Sequence, residues 1–129
     1  MIGLYVNNST AERFAFQIIF GKKTIETRTR RAAKAFLSSG VKPGDRIAIV
    51  TGGHVYGYAT FQGVKQYDSR AAFMEDYKAH RVKTGSKYDY RPETGKAGII
   101  LSDPECAPFE DYLKKVQRTS GYTWTRIEG

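Results

Sequence analysis

Lys23, Glu26 and Arg28 are the residues of this chain best suited to chemistry. They stand in the stretch Gly21-Lys22-Lys23-Thr24-Ile25-Glu26-Thr27-Arg28, which reads G-x-K-x-x-E-x-R and holds one strongly apolar residue, Ile25. A lysine and an arginine flanking one carboxylate form a cation–anion–cation array. In an extended segment alternate side chains share a face, so Thr24, Glu26, Arg28 and Arg30 point one way and Ile25 and Thr27 the other. Lys23, at the turn, can swing to either side. Such an array suits a ligand with both phosphate and base-edge groups: the cations take the phosphate, and the carboxylate accepts from an exocyclic amine. The same charges on a solvated edge strand would form surface pairs worth under ~1 kcal/mol each. Four fixed positions, each matched by chance at about 5–7%, recur in roughly one in a thousand chains of this length, so the spacing carries information beyond its charge.

Other chemistries find less support. His54 and His80 lack metal-ligand spacing with the single cysteine, Cys106. Cys106 follows Asp103-Pro104-Glu105, an acidic setting that disfavours a thiolate nucleophile. No nucleophile-elbow pattern surrounds a serine, Gly52-Gly53 lacks the pattern of a phosphate loop, and no dinucleotide fingerprint is present. The expectation is therefore no cofactor and no metal.

The elements that must position the array are readable from periodicity and punctuation. Met1 to Val6 reads as a short strand. Ser9-Thr10-Ala11-Glu12 reads as a capping box opening a helix to about Phe20, with Gly21 as its C-terminal cap. The motif strand follows, then a short helix from Arg31 to Leu37. Strands at about 46–51 and 55–64 flank Gly52-Gly53-His54, a hairpin signal. Ser69 to about His80 reads as a helix with Ala72, Phe73 and Tyr77 inward. Thr84 to Gly95 is a polar loop, Lys96 to Leu101 a buried strand, Phe109 to Val116 a short helix or turn, and Tyr122 to Ile127 the last strand. Phe14, Phe16, Phe20, Phe36, Phe61 and Phe73 are expected in the core. Short strands mixed with a few helices give an α+β class with a small barrel, and 129 residues suit a single domain.

Charge is unevenly spread. The net charge is +8, with a balance of +5 over residues 22–34 and +4 over residues 78–96, whereas residues 101–113 hold four acidic residues and no lysine or arginine. A basic patch beside an acidic rim fits an oriented polyanion site. Tyr88 and Tyr90 lie in the basic loop, where base stacking and plain loop packing are equally reasonable. No apolar run approaches the ~18–20 residues that span a membrane, and no signal peptide is visible, so no membrane association is expected. One cysteine excludes an internal disulfide and fits a reducing, cytoplasmic compartment.

Gly21, Lys23, Glu26 and Arg28 match, position by position, the signature of the ASCH domain family, small domains with a PUA-like β-barrel. Val41-Lys42-Pro43-Gly44-Asp45-Arg46 leading into a strand, Tyr56 to Phe61, Gly98-Ile99-Ile100-Leu101-Ser102 and Gly121-Tyr122-Thr123-Trp124 also resemble the family. The resemblance implies one ASCH domain over residues 1–129, with a PUA-like barrel and flanking helices. It implies an RNA or nucleotide ligand contacted by Lys22, Lys23, Thr24, Glu26, Arg28, Ser102, Tyr122 and Trp124, the last two walling the pocket. Some members look like single-strand ribonucleases, and a related subgroup hydrolyses N4-acetylcytidine; Lys23 and Glu26 would be catalytic in an enzyme of this kind. That amidohydrolase subgroup has a threonine where this chain has Glu26, which weighs against that substrate. A binding module and a hydrolase both stay open.

Overall fold

Gly52 and Gly53 adopt φ of +58° and +79°. Two consecutive left-handed residues are what a two-residue hairpin with native strand twist requires. They join β3 (Arg46–Thr51) to β4 (His54–Tyr67). The other strands are β1 (Ile2–Tyr5), β2 (Ile25–Arg28), β5 (Lys96–Cys106) and β6 (Trp124–Arg126). The helices are α1 (Phe14–Ile19), α2 (Arg30–Leu37), α3 (Arg70–Glu75), α4 (Tyr77–His80) and α5 (Phe109–Leu113). This computed structural model describes residues 1–116 and 123–128.

The six strands form one mixed sheet in the order β2-β5-β4-β3-β1-β6, and the fold is α+β. β1 and β3 run parallel and the other pairs antiparallel. A parallel pair needs a crossover, supplied here by the chain through α1, β2 and α2. β4 is long enough to serve two partners. It pairs with β3 over its first half and with β5 through to Tyr67, with register shifts at Tyr58/Thr60 and Phe61/Gly63 that bend it. The sheet therefore curls, but among the described residues β2 and β6 do not pair, so the expected barrel closure is absent. The Arg28 side chain spans the open side instead, donating to the Tyr5 carbonyl at the end of β1.

The main core lies between the sheet and the helices, and Leu4, Phe14, Ile18, Phe36, Phe61, Tyr67, Phe73 and Ile99 meet there. Phe36 and Phe61 pack edge to face with centroids 5.4 Å apart. Several expectations need correction. The Ser9–Glu12 capping box does not open α1. Asn8 does the comparable work from further back, its Oδ1 accepting the Phe16 N–H at 3.0 Å, and Arg13 turns into the left-handed region before the helix. Helix Ser69–His80 breaks at Asp76 into α3 and α4, which leaves Tyr77 exposed rather than inward. Phe20 is also exposed, because α1 ends at Ile19 and the chain turns at Gly21, φ +77°. Among the described residues no helix is long and apolar enough to cross a membrane.

Two glycines let elements approach closely enough to set the motif. A Cβ on Gly57 would lie 2.3 Å from Ile19 Cδ1 and 2.5 Å from the Glu105 carbonyl oxygen, so α1 rests directly on β4. A Cβ on Gly98 would lie 2.5 Å from Ile25 Cγ2 and 3.2 Å from the Tyr67 ring. Gly98 stands opposite Thr27, in the middle of the β2–β5 ladder. Gly98→Ala should overpack this seam and cost ~1–3 kcal/mol in urea unfolding. Unchanged stability would show that β2 is not clamped there.

Candidate functional site

Helix α1 ends where Gly21 turns the chain, and the N–H groups of Lys22 and Lys23 both return to the Gln17 carbonyl, at 2.9 and 3.0 Å. That turn sends the Lys23 side chain inward. Thr24 N–H then bonds the Ala79 carbonyl and the Thr24 carbonyl accepts from Leu101 N–H, both at 2.9 Å, so β2 starts pinned between α4 and β5. Lys23 is 1% exposed and Glu26 2%. The Lys23 ammonium donates to the His80 carbonyl, lies 3.4 Å from Glu26 Oε1 and sits 4.3 Å from the centre of the Phe14 ring. Arg28 donates from Nη1 to Glu26 Oε2 and, at 3.1 Å, to the Thr27 carbonyl, while Nη2 serves Tyr5. The array is thus real and interior, with the carboxylate in the middle.

The protonation states follow from these contacts. Burial opposes ionisation of Glu26, but Arg28 and then Lys23 outweigh it and hold the carboxyl below its usual range. Burial pulls the Lys23 ammonium below the usual lysine range, against the opposing pull of Glu26. Glu26 is therefore an ionised acceptor in a dry setting, where charge-assisted hydrogen bonds are strong.

Glu26 and Arg28 line a cavity of about 590 Å³. It occupies the open side of the sheet, between β2 and the ends of β1 and β3, with Asn7, Asn8, Thr27, Thr29 and Ala32 in its lining. Lys87 and Tyr88 of the basic loop and Lys96 at the start of β5 complete it. Tyr88 packs edge-on against Phe14, takes a hydrogen bond from Asn7 and has the Lys87 ammonium 5.1 Å from its ring centre.

The residues picked from the sequence do not all meet here. Lys23 stands behind Glu26 and is not in the wall of this cavity. Gly21, Lys23, Thr24 and Ser102 instead border a second hollow of about 180 Å³. Ser102 Oγ accepts from Gln62 Nε2 at 2.8 Å. Lys22 is exposed, and its carbonyl accepts from Arg81 at 3.1 Å. Trp124 stands on β6 opposite Leu4, packed against the main core and outside both linings. Tyr122 lies outside the described residues. Tyr90, the other loop tyrosine, is buried in the core.

Sequence reasoning missed Asn7, Asn8, Thr27 and Lys96. Lys96 carried a signal: it heads an otherwise apolar run, Ala97-Gly98-Ile99-Ile100-Leu101, and a lysine there either ends the strand or has work to do. His80 was also unassigned. Its ring is buried between Phe73 and Val82 contacts, with Nε2 2.6 Å from the Phe73 carbonyl and Nδ1 accepting the Val82 N–H at 2.9 Å. That fixes the carbonyl that holds Lys23.

A curled open sheet with a buried Lys–Glu–Arg array beside its gap defines a small pocketed α+β domain. No family model matches the chain, and no curated protein matches it. Solved structures do. The crystal structure of an ASCH protein from Zymomonas mobilis superposes with a TM-score of 0.67 at 15% identity, over 98% of this chain and 87% of that one. A serine-to-alanine variant of it gives 0.66 at 20% identity over the same shares. A tyrosine-to-phenylalanine variant gives 0.60 at 22% identity, over 81% of this chain and 70% of that one. The chain has an ASCH domain fold.

The array makes a stability prediction. A carboxyl held below its unfolded pKa contributes stability that is full above the unfolded value, about 4.3, and is lost as pH falls through the lower folded value. Glu26→Gln also strands the buried Lys23 charge, so it should cost ~3–5 kcal/mol at pH 7. The gap between wild type and variant should narrow as pH falls below about 4. Urea unfolding at pH 7 and pH 3 measures it; a gap of equal size at both would mean Glu26 is not held ionised.

Proposed function

We propose that the chain is a single ASCH-type, PUA-like domain that binds a nucleotide or single-stranded RNA in the cavity between β2 and the ends of β1 and β3. One observation carries the reading: a buried carboxylate, kept ionised by two cations, forms part of the wall of a cavity of nucleotide size. A fixed acceptor of this kind selects an exocyclic amine and rejects a carbonyl edge. Tyr88 adds an aromatic surface to the lining, and the Asn8 amide nitrogen, whose oxygen partner accepts from Phe16, adds a donor for another base edge. Arg31 and Lys34, exposed on α2, offer phosphate contacts outside the cavity. A cytoplasmic location goes with this reading, since RNA is the expected partner and the one cysteine is free.

A hydrolase is the second reading, and burial of Lys23 favours it by drawing that amine towards neutrality. Against it, the Lys23 ammonium is already committed to His80 and Glu26 and is not in the lining of the cavity that would hold substrate.

Fluorescence titration with short single-stranded RNAs tests the binding reading. Affinity should fall steeply between about 50 and 200 mM salt. Charge reversal at Arg31 or Lys34 should weaken all sequences alike, whereas Glu26→Gln should erase the preference among bases before it erases affinity. Binding indifferent to both salt and Glu26→Gln would sink the proposal. Incubation with single-stranded RNA and with N4-acetylcytidine decides the second reading: turnover that Lys23→Met abolishes would replace binding with hydrolysis.

A further inference from the structure

The cavity wall contains cations of two kinds. Arg28 has its guanidinium engaged by Glu26, Thr27 and Tyr5, so a phosphate would have to displace existing bonds. Lys96 differs. It lines the same cavity and is 7% exposed, yet its ammonium makes no hydrogen bond or close ion pair with any described residue. Glu26, Arg28, Asp89 and Arg91 act on it only through longer-range charge. Asp89 is itself occupied by Arg70 at 2.6 Å and by two backbone N–H groups. With no donor committed elsewhere, the Lys96 ammonium can turn its hydrogen bonds to an incoming anion without breaking any in the protein.

Resting on the nucleotide reading above, we infer that Lys96 forms the phosphate subsite of the cavity and that the ligand is a mononucleotide with a terminal phosphate monoester. Charge count and access both point there. Arg28, Lys87 and Lys96 line the cavity against one carboxylate, Glu26, a formal surplus of two positive charges in its wall. A phosphate monoester carries about −1.5 to −2 at neutral pH, whereas each internal phosphate of RNA carries about −1. A terminal phosphate can meet this ammonium end-on. An internal phosphodiester would have to bring two sugars and their bases into about 590 Å³ that already must hold the base read by Glu26. With Glu26 on the base and Lys96 on the phosphate, the two ends of one nucleotide are fixed separately.

Calorimetric titration tests this on the full chain, with adenosine and cytidine, their 5′-monophosphates, and the unphosphorylated trinucleotides of A and C. Wild type should bind the monophosphates at least about tenfold tighter than the nucleosides, as a charge-assisted contact predicts. In Lys96→Met the ratio of monophosphate to nucleoside affinity should fall towards one, while Lys96→Arg keeps part of the preference. Equal binding of nucleoside and monophosphate by wild type would overturn the inference and leave the nucleotide reading standing. So would a preference that survives in Lys96→Met. Trinucleotides that bind as tightly as the monophosphates, and weaken equally in Lys96→Met, would assign Lys96 to internal RNA phosphates and overturn the mononucleotide. No binding of any of these ligands would remove the nucleotide reading and this inference together. If Lys96→Met fails to fold, inorganic phosphate decides on wild type. It should compete against the monophosphates and leave nucleoside affinity unchanged; equal effects on both would overturn the subsite.

Discussion

The Glu26 carboxylate is held by two cations that each reach on to a backbone carbonyl elsewhere in the chain. Lys23 extends to His80, at the end of α4, and Arg28 to Tyr5, at the end of β1. One anion therefore ties the short strand β2 to a helix on one side and to the far part of the sheet on the other. Three buried charges are not a cheap way to gain stability, since desolvation consumes much of the attraction. They make sense where hydrogen bonding between strands gives out. Among the described residues β2 pairs with β5 alone, and its other edge faces the gap. Arg28 bridges that gap with a side chain, which leaves room beside it where a backbone ladder would have left none.

The cavity is a consequence of this bridging. β4 bends at its two register shifts, the sheet curls, and the curl stops short of closure. The space between the last residues of β1 and β3 and the edge of β2 is lined at the strand ends, by Asn7 and Asn8 after β1 and by Thr51 at the end of β3 with Gly52 after it. Loops at one end of a rigid sheet are where variable binding groups are placed at least cost to the core. The basic loop before β5 contributes Lys87 and Tyr88 to the lining, and Tyr88 is anchored by Phe14 and Asn7.

Much of this was legible in the sequence, and the exceptions share a cause. The Gly52-Gly53 hairpin, the turn at Gly21 and the spacing of Glu26 and Arg28 are local facts, written in residue types that favour one backbone geometry. Period-two alternation placed Glu26 and Arg28 on one face correctly. It could not say that the face would be covered, because α4, Tyr5 and Lys96 reach it from far along the chain. The same limit explains Lys23, readable as a turn residue but not as one swung inward to a carbonyl 57 positions away. Tyr77 and Phe20 failed the other way. Both fit an apolar stripe, and both helices end or break before the stripe is used. The capping box failed because Asn8, outside the pattern, competes for the same helix start.

A motif rich in cations invites the view that its cations bind the ligand. The geometry separates two tasks that composition merges. Lys23 and Arg28 spend their donors on Glu26 and on carbonyl oxygens, so their effect on a ligand passes through the carboxylate they hold. A carboxylate fixed in position and charge reads a donor pattern on a base, and it repels phosphate. Phosphate must therefore settle away from Glu26, on cations with free donors. Within the cavity that leaves Lys96 and Lys87, and outside it the exposed cations of α2. An acceptor on β2 and an ammonium on the neighbouring β5 give the site two chemically different contacts. A ligand that satisfies both must carry a donor edge and a negative charge, as a nucleotide does and an isolated base or free phosphate does not.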